Sequence, residues 1–149
     1  MGQHQFEELS SRIIEAGIAV HKALGPGFIE GVYQKAMEVA FRHRNIPFER
    51  QKEIHAYFED EDLGVQRIGL LVCGEIIVEL KAVRAVANEH IAQTLGYLKS
   101  SRIEHGLLIN FGSYKFEIRK FAWSEQIQKS KASFVSLSIS ALCAFFAVK

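Results

Sequence analysis

A chain of 149 residues, 48% hydrophobic and 23% charged, suits one domain with one core and excludes disorder along most of its length. Its formal net charge of +1 gives no global positive field, so any contact with nucleic acid has to rest on a local patch. The two cysteines, Cys73 and Cys143, form no metal-spaced pair and point to a reducing, cytoplasmic setting.

Met1 to Leu9 is polar and acidic, without the basic-then-apolar pattern of a secretion signal. From Phe6 to Leu24, Leu9, Ile13, Ala16, Val20 and Leu24 recur at helical spacing, and Gly25-Pro26-Gly27 ends the helix. A second helix is predicted from about Ile29 to His43, with a stripe of Ile29, Val32, Tyr33, Ala36, Met37 and Ala40; Asn45-Ile46-Pro47 stops it. Phe48 to Phe58 alternates in part, with Ile54, Ala56 and Phe58 on one face. The acidic turn Glu59-Asp60-Glu61-Asp62 leads into Val65 to Val72 and Glu75 to Val83, a hairpin around Cys73-Gly74. Asn88 to Lys99 is predicted as a helix capped by Asn88, with Ile91, Leu95 and Leu98 on its inner face. Gly106 to Phe111 is an apolar strand, and Tyr114 to Trp123 alternates again.

The order α-α-β-β-β-α-β-β predicts an α/β fold, a mixed sheet flanked by helices, over residues 1–123. Residues 124–149 form an apolar tail. Its stretch Phe134 to Val148, interrupted by serines, is shorter than the ~20 residues of a membrane-spanning helix. No membrane is expected; a terminal strand, a packed helix or a surface for self-association are the open readings.

The chemistry concentrates in Val78-Glu79-Leu80-Lys81, at the end of an apolar run that reads as a buried strand. Strand alternation puts Glu79 and Lys81 on one face. Charges in such a setting are costly unless paired or bound to a metal. The bland reading is a structural ion pair at a sheet edge; the sharp one is an active site.

The flanking residues carry a resemblance. Gly27-Phe28-Ile29-Glu30-Gly31-Val32-Tyr33 has the spacing of the GxxExxY protein family. Glu79-Leu80-Lys81, the hairpin before it, and a later helix with Gln93 and Tyr97 match the same family, a branch of the PD-(D/E)XK nuclease superfamily. The resemblance runs from about residue 6 to about residue 123. It implies a restriction-endonuclease-like fold and a metal-dependent phosphodiesterase acting on nucleic acid. By position, Glu79 becomes a ligand of magnesium or manganese, with the backbone carbonyl of Leu80 as a further ligand. Lys81 orients the attacking water, Glu30 adds an acidic contact, and Gln93 helps orient the site. Tyr33 packs beside Glu30, and Tyr97 and His90 join the cleft on either side of Gln93. Arg42, Arg44, Arg50 and Lys52 form either a phosphate-facing patch or a solvated face.

One position departs from the pattern. The second hairpin strand reads Arg67-Ile68-Gly69-Leu70-Leu71-Val72, and the family's metal-binding aspartate falls on Gly69. A three-residue loop, Cys73 to Glu75, sets Gly69 opposite Glu79; a two-residue loop would break that alignment. Asp60, Glu61, Asp62 and Glu75 lie at the wrong places to stand in. The expectation is impaired or absent catalysis with weakly bound metal. The alternative is a module that keeps the fold and binds nucleic acid or protein without cutting.

Overall fold

The computed structural model describes residues 1–124. Gly106 to Phe111 and the other apolar runs build a five-stranded mixed sheet, while the helical stripes cover its two faces. The elements are α1 (Gln3–Leu24), α2 (Glu30–His43), β1 (Phe48–Phe58), β2 (Glu61–Val72), β3 (Ile76–Lys81), α3 (Asn88–Ser101), β4 (His105–Asn110) and β5 (Glu117–Ala122). The strands lie in chain order, β1 to β5. All neighbours are antiparallel except β3 and β4, which α3 connects as a parallel pair. That connection needs a crossover, and the α3 pattern supplies it.

The helices divide between the two faces. Phe6, Ile13, Ala16 and Val20 of α1, with Tyr33, Met37 and Phe41 of α2, pack on Leu70, Val72, Ile76, Val78, Leu107 and Ile109. On the other face Tyr97 and Leu98 of α3 pack with Ile54, Ile68, Leu71 and Ile77. β3 and β4 therefore carry apolar side chains in both directions, which explains their continuous apolar runs.

Several boundaries differ from the sequence reading. The acidic turn narrows to Glu59-Asp60, both in the left-handed region at φ 48° and 63°, and Glu61 and Asp62 already belong to β2. Two successive residues at positive φ match the twist of a tight hairpin, and Asp60 is of a type that tolerates that backbone. The cap of α3 is Ala87 rather than Asn88: its N–H donates to Nδ1 of His90, 2.9 Å away. The inner face of α3 is Thr94, Tyr97 and Leu98, while Leu95 is 38% exposed. Ile29, expected in the α2 stripe, is 76% exposed because it precedes the helix and faces outward. The stretch Phe134 to Val148 lies outside the described residues.

Candidate active site

The hairpin between β2 and β3 fixes the centre of the site. Val72 faces Ile76, Leu71 faces Ile77 and Leu70 faces Val78, so the loop has three residues, Cys73 to Glu75. One more step places Gly69 across from Glu79, and the Gly69 N–H donates to Oε1 of Glu79 at 3.4 Å. Of the two loop lengths the sequence leaves open, two residues or three, the structure has three.

β2 turns over at this point. Leu70 and Val72 pack under α1 and α2, and Leu71 packs under α3. Simple alternation would send Ile68 the way of Leu70, yet Ile68 packs under α3 with Leu71 and Ile77. Opposite the pivot, Gln51 stands between the pairs Arg50–Leu70 and Lys52–Ile68 with φ 52°. The unusual backbone falls on Gln51, while Gly69 is not among the glycines with positive φ. A non-glycine residue in that region is uncommon.

Glu79 is only 6% exposed. Burial pushes its carboxyl up to about 7; the Gly69 hydrogen bond and the Lys81 charge pull it down, and the Glu30 carboxylate adds to the rise. No described residue forms an ion pair with it. Lys81 is half-buried at the end of β3, and its N-terminal neighbours hold it in the sheet core. Glu30, exposed, opens α2.

Tyr97 closes the group from α3, on the face of the sheet that Ile77 and, by alternation, Glu79 share. Its hydroxyl accepts from Nε2 of Gln93 at 3.0 Å. Burial raises that hydroxyl above the usual phenol range, and the charges of Glu79 and Glu30 raise it further. Glu30, Glu79, Lys81, Gln93 and Tyr97, scattered over three elements, thus share one electrostatic neighbourhood.

Other expected residues go elsewhere. Tyr33 is fully buried rather than cleft-lining: it stacks on Phe111 at 4.7 Å, donates to the Gly25 carbonyl and accepts from the Phe28 N–H at 3.2 Å. It pins the Gly25–Gly27 loop to the core. His90 caps α3 through Nδ1 instead of facing a cleft. The basic residues each have a local partner or stand at the surface. Arg50 reaches Glu38 at 3.7 Å, Lys52 reaches Glu49 at 3.6 Å, Arg44 donates to the Ala40 carbonyl at 3.1 Å, and Arg42 is exposed on the last turn of α2. Leu80 is buried in the ladder opposite Ile109.

Two residues enter the site unannounced. Asn110, fully buried and paired with Lys81, accepts from the Val83 N–H at 3.0 Å and donates to the Val83 carbonyl at 2.8 Å. It clamps the chain just after Lys81. An asparagine closing the apolar run from Gly106 was the available signal. Gln34, one turn after Glu30, donates to the Gly69 carbonyl at 3.0 Å. Nothing in the sequence distinguishes it from an ordinary polar helix residue.

The donors near Glu79 are oxygens, which suits a hard cation such as magnesium in kind. In number they fall one acid short. Among the described residues no three His, Cys, Asp or Glu side chains converge as a metal site.

A parallel β3–α3–β4 unit in a mixed sheet, with an acid and a lysine two residues apart at the end of β3, defines the restriction-endonuclease-like class. Residues 7–121, well over half the chain, match the model of the PD-(D/E)XK nuclease superfamily, and the chain belongs to that superfamily. The solved structure of SSO0001 is similar over 95% of this chain and 68% of its own, with 17% identity and a TM-score of 0.52, a likeness of fold alone. No curated protein matches the chain.

Proposed function

We propose that this is a nuclease-like domain of the GxxExxY branch that engages nucleic acid, with phosphodiester hydrolysis impaired by the loss of the metal-binding acid at Gly69. The observation that carries the reading is the juxtaposition of Gly69 with Glu79 at the turnover of β2. Everything an acid at position 69 would face is in place: a buried carboxyl, a lysine two residues on, and a second carboxylate on α2. Magnesium or manganese bound there is held weakly, because a hard cation with high charge density draws most of its affinity from carboxylates. The cation, when bound, supplies charge neutralisation at the phosphoryl group. Lys81 is the residue placed to orient water and to face developing negative charge. Gln93, holding the Tyr97 hydroxyl, keeps the α3 side of the site rigid.

Support for the branch comes from the spacing Gly27, Glu30 and Tyr33, with Tyr33 fastening the loop and Glu30 presented beside Glu79. A cytoplasmic setting fits the free Cys73 at the surface, and no described helix is long and apolar enough to cross a membrane.

The test is a cleavage assay on linear, branched and single-stranded DNA and RNA with magnesium and with manganese. The native chain is expected to bind and to cut poorly. Gly69→Asp is expected to gain cleavage, and Lys81→Ala in that background to lose it. Equal cleavage by native chain and Gly69→Asp overturns the reading. A second reading, a binding module without chemistry, is favoured by the same missing acid. Binding by the native chain with no cleavage from Gly69→Asp supports that second reading.

A further inference from the structure

Three loops meet beyond the carboxyl ends of β3 and β4, and a buried polar side chain ties each of them to the core. Tyr33 donates to the Gly25 carbonyl and accepts from the Phe28 N–H, which fixes the loop before α2. His21 of α1, itself buried, donates from Nε2 to the Ser113 carbonyl at 2.8 Å, which fixes the loop after β4. Asn110 holds the N–H and the carbonyl of Val83 and also accepts from the Gly112 N–H at 3.0 Å. A Cβ at Gly112 would collide with the Val83 backbone, so glycine is what lets these two loops touch. Between the loops lies a cleft of about 430 Å³ lined by Pro26, Gly27, Arg84, Gly112, Ser113 and Tyr114. That volume falls in the range of small-ligand sites, and the carboxyl ends of strands are where open α/β sheets bind their ligands.

The lining carries one charge and one aromatic ring. Arg84 is exposed and pairs with no described residue, although the chain is held on both sides of it, at Val83 by Asn110 and at Val86 by Glu117. Tyr114 is 92% exposed, yet Ser113 Oγ spans its backbone by donating to the Lys115 carbonyl at 2.7 Å. Both side chains stand in water on tethered backbone. The cleft also adjoins the candidate site: Arg84 follows Lys81 by three residues, and the Phe111 N–H donates to the Lys81 carbonyl at 2.8 Å. We propose that this cleft binds one nucleotide of a single-stranded nucleic acid, with Tyr114 stacking on the base and Arg84 meeting the phosphate. The proposal rests on the nucleic-acid reading given above and narrows it to strands with unpaired bases. A base inside a duplex is covered on both faces by its neighbours, whereas an unpaired base can lie on a tyrosine ring. The guanidinium fork matches phosphate oxygens in charge and in geometry.

Fluorescence anisotropy with a labelled oligothymidylate, and with the same strand paired to oligodeoxyadenylate, tests this on the native chain, Tyr114→Ala, Tyr114→Phe and Arg84→Ala. Both positions are exposed, so the variants are expected to unfold at the native midpoint. Tyr114→Ala is expected to bind the single strand about tenfold more weakly, Tyr114→Phe to bind it as the native chain does, and duplex binding to be unchanged by either. Arg84→Ala is expected to weaken single-strand binding and to make the slope of log affinity against log salt shallower by about 0.7, the share of one phosphate. Both losses are required. If the native chain binds the single strand and either alanine variant binds it equally well, the proposal falls while the nucleic-acid reading stands. Equal weakening of single strand and duplex by Tyr114→Ala, or a Tyr114→Phe as weak as Tyr114→Ala, overturns the stacking role and the proposal with it. If the native chain binds neither probe, the nucleic-acid reading falls and takes this proposal along.

Discussion

Two glutamates of this protein are equally buried, each 6% exposed, and they sit in opposite circumstances. Glu38, on α2, reaches the Arg50 guanidinium across the start of β1 at 3.7 Å. Glu79, on β3, has a backbone N–H at 3.4 Å and no ion pair with any described residue. The first is an acid whose burial is compensated by a partner that remains 71% exposed and easily solvated. The second is an acid whose burial is only partly offset, by the Gly69 N–H and the Lys81 charge, and its carboxyl is pushed up to about 7. The difference teaches where the fold tolerates charge for structure and where it tolerates charge for something else. A buried carboxyl without an ion pair among the described residues is a standing cost, and such costs cluster at functional sites.

The largest effect follows from that cost. Between its ordinary value of 4.5 and about 7, the folded chain keeps a proton on Glu79 that the unfolded chain has lost. Stability contributed by this protonation is full below pH 4.5, declines as pH rises, and is gone above 7. The difference corresponds to about 3 kcal/mol. Glu79→Gln is a permanent copy of the protonated form and still accepts from the Gly69 N–H. It is expected to stabilise the chain by up to about 3 kcal/mol at pH 8 and by almost nothing at pH 4. Urea unfolding at the two pH values measures this; a loss of stability at pH 8 would break the contrast between the two glutamates.

Much of this arrangement was legible in the sequence. Helical stripes and alternating strands gave the element order, and narrowed the β2–β3 register to two loop lengths, of which the three-residue one sets Gly69 against Glu79. Loop length and side-chain period are local properties, so one chain suffices to read them. What escaped depends on contacts between elements distant in sequence. Ile68 changes faces because β2 turns over at Gly69, opposite a positive-φ Gln51 in the neighbouring strand. Gln34 reads as a solvated helix residue until α2 is laid over β2. Of the four basic residues, Arg50 pairs with Glu38 of another element, a contact that chain order does not show. Tyr33 carries the right spacing for a site and is spent on the core.

The second effect concerns Glu38. Removing its partner by Arg50→Ala leaves a buried carboxylate alone and is expected to cost about 1–2 kcal/mol at pH 7, held below the fully buried value by the exposure of Arg50. In a Glu38→Gln background the same change is expected to cost close to nothing. The coupling in this double-mutant cycle is the measurement. Its sign is opposite to that of Glu79→Gln: one acid needs its charge and the other is more stable without it. Absence of coupling would mean that Glu38 is held by packing, and the two glutamates would then differ only in degree.

The smallest effect separates the two acids by reach rather than by energy. The Tyr97 hydroxyl is raised first by its own burial and then by the charge of Glu79, with the Gln93 hydrogen bond opposing. Glu79→Gln removes that charge and is expected to lower the pH at which Tyr97 ionises, whereas Glu38→Gln leaves it where it is. Tyrosine ring signals followed by NMR through an alkaline titration report this directly, with Tyr97→Phe identifying the signal among the four tyrosines. Field effects of this kind travel only between groups that share a poorly solvated space. A Tyr97 titration indifferent to Glu79 would place α3 outside the site and remove Gln93 with it. A titration that moves ties the helix to the β3 acid across the face they share, and makes Gln93 and Tyr97 part of the same chemical neighbourhood as Lys81.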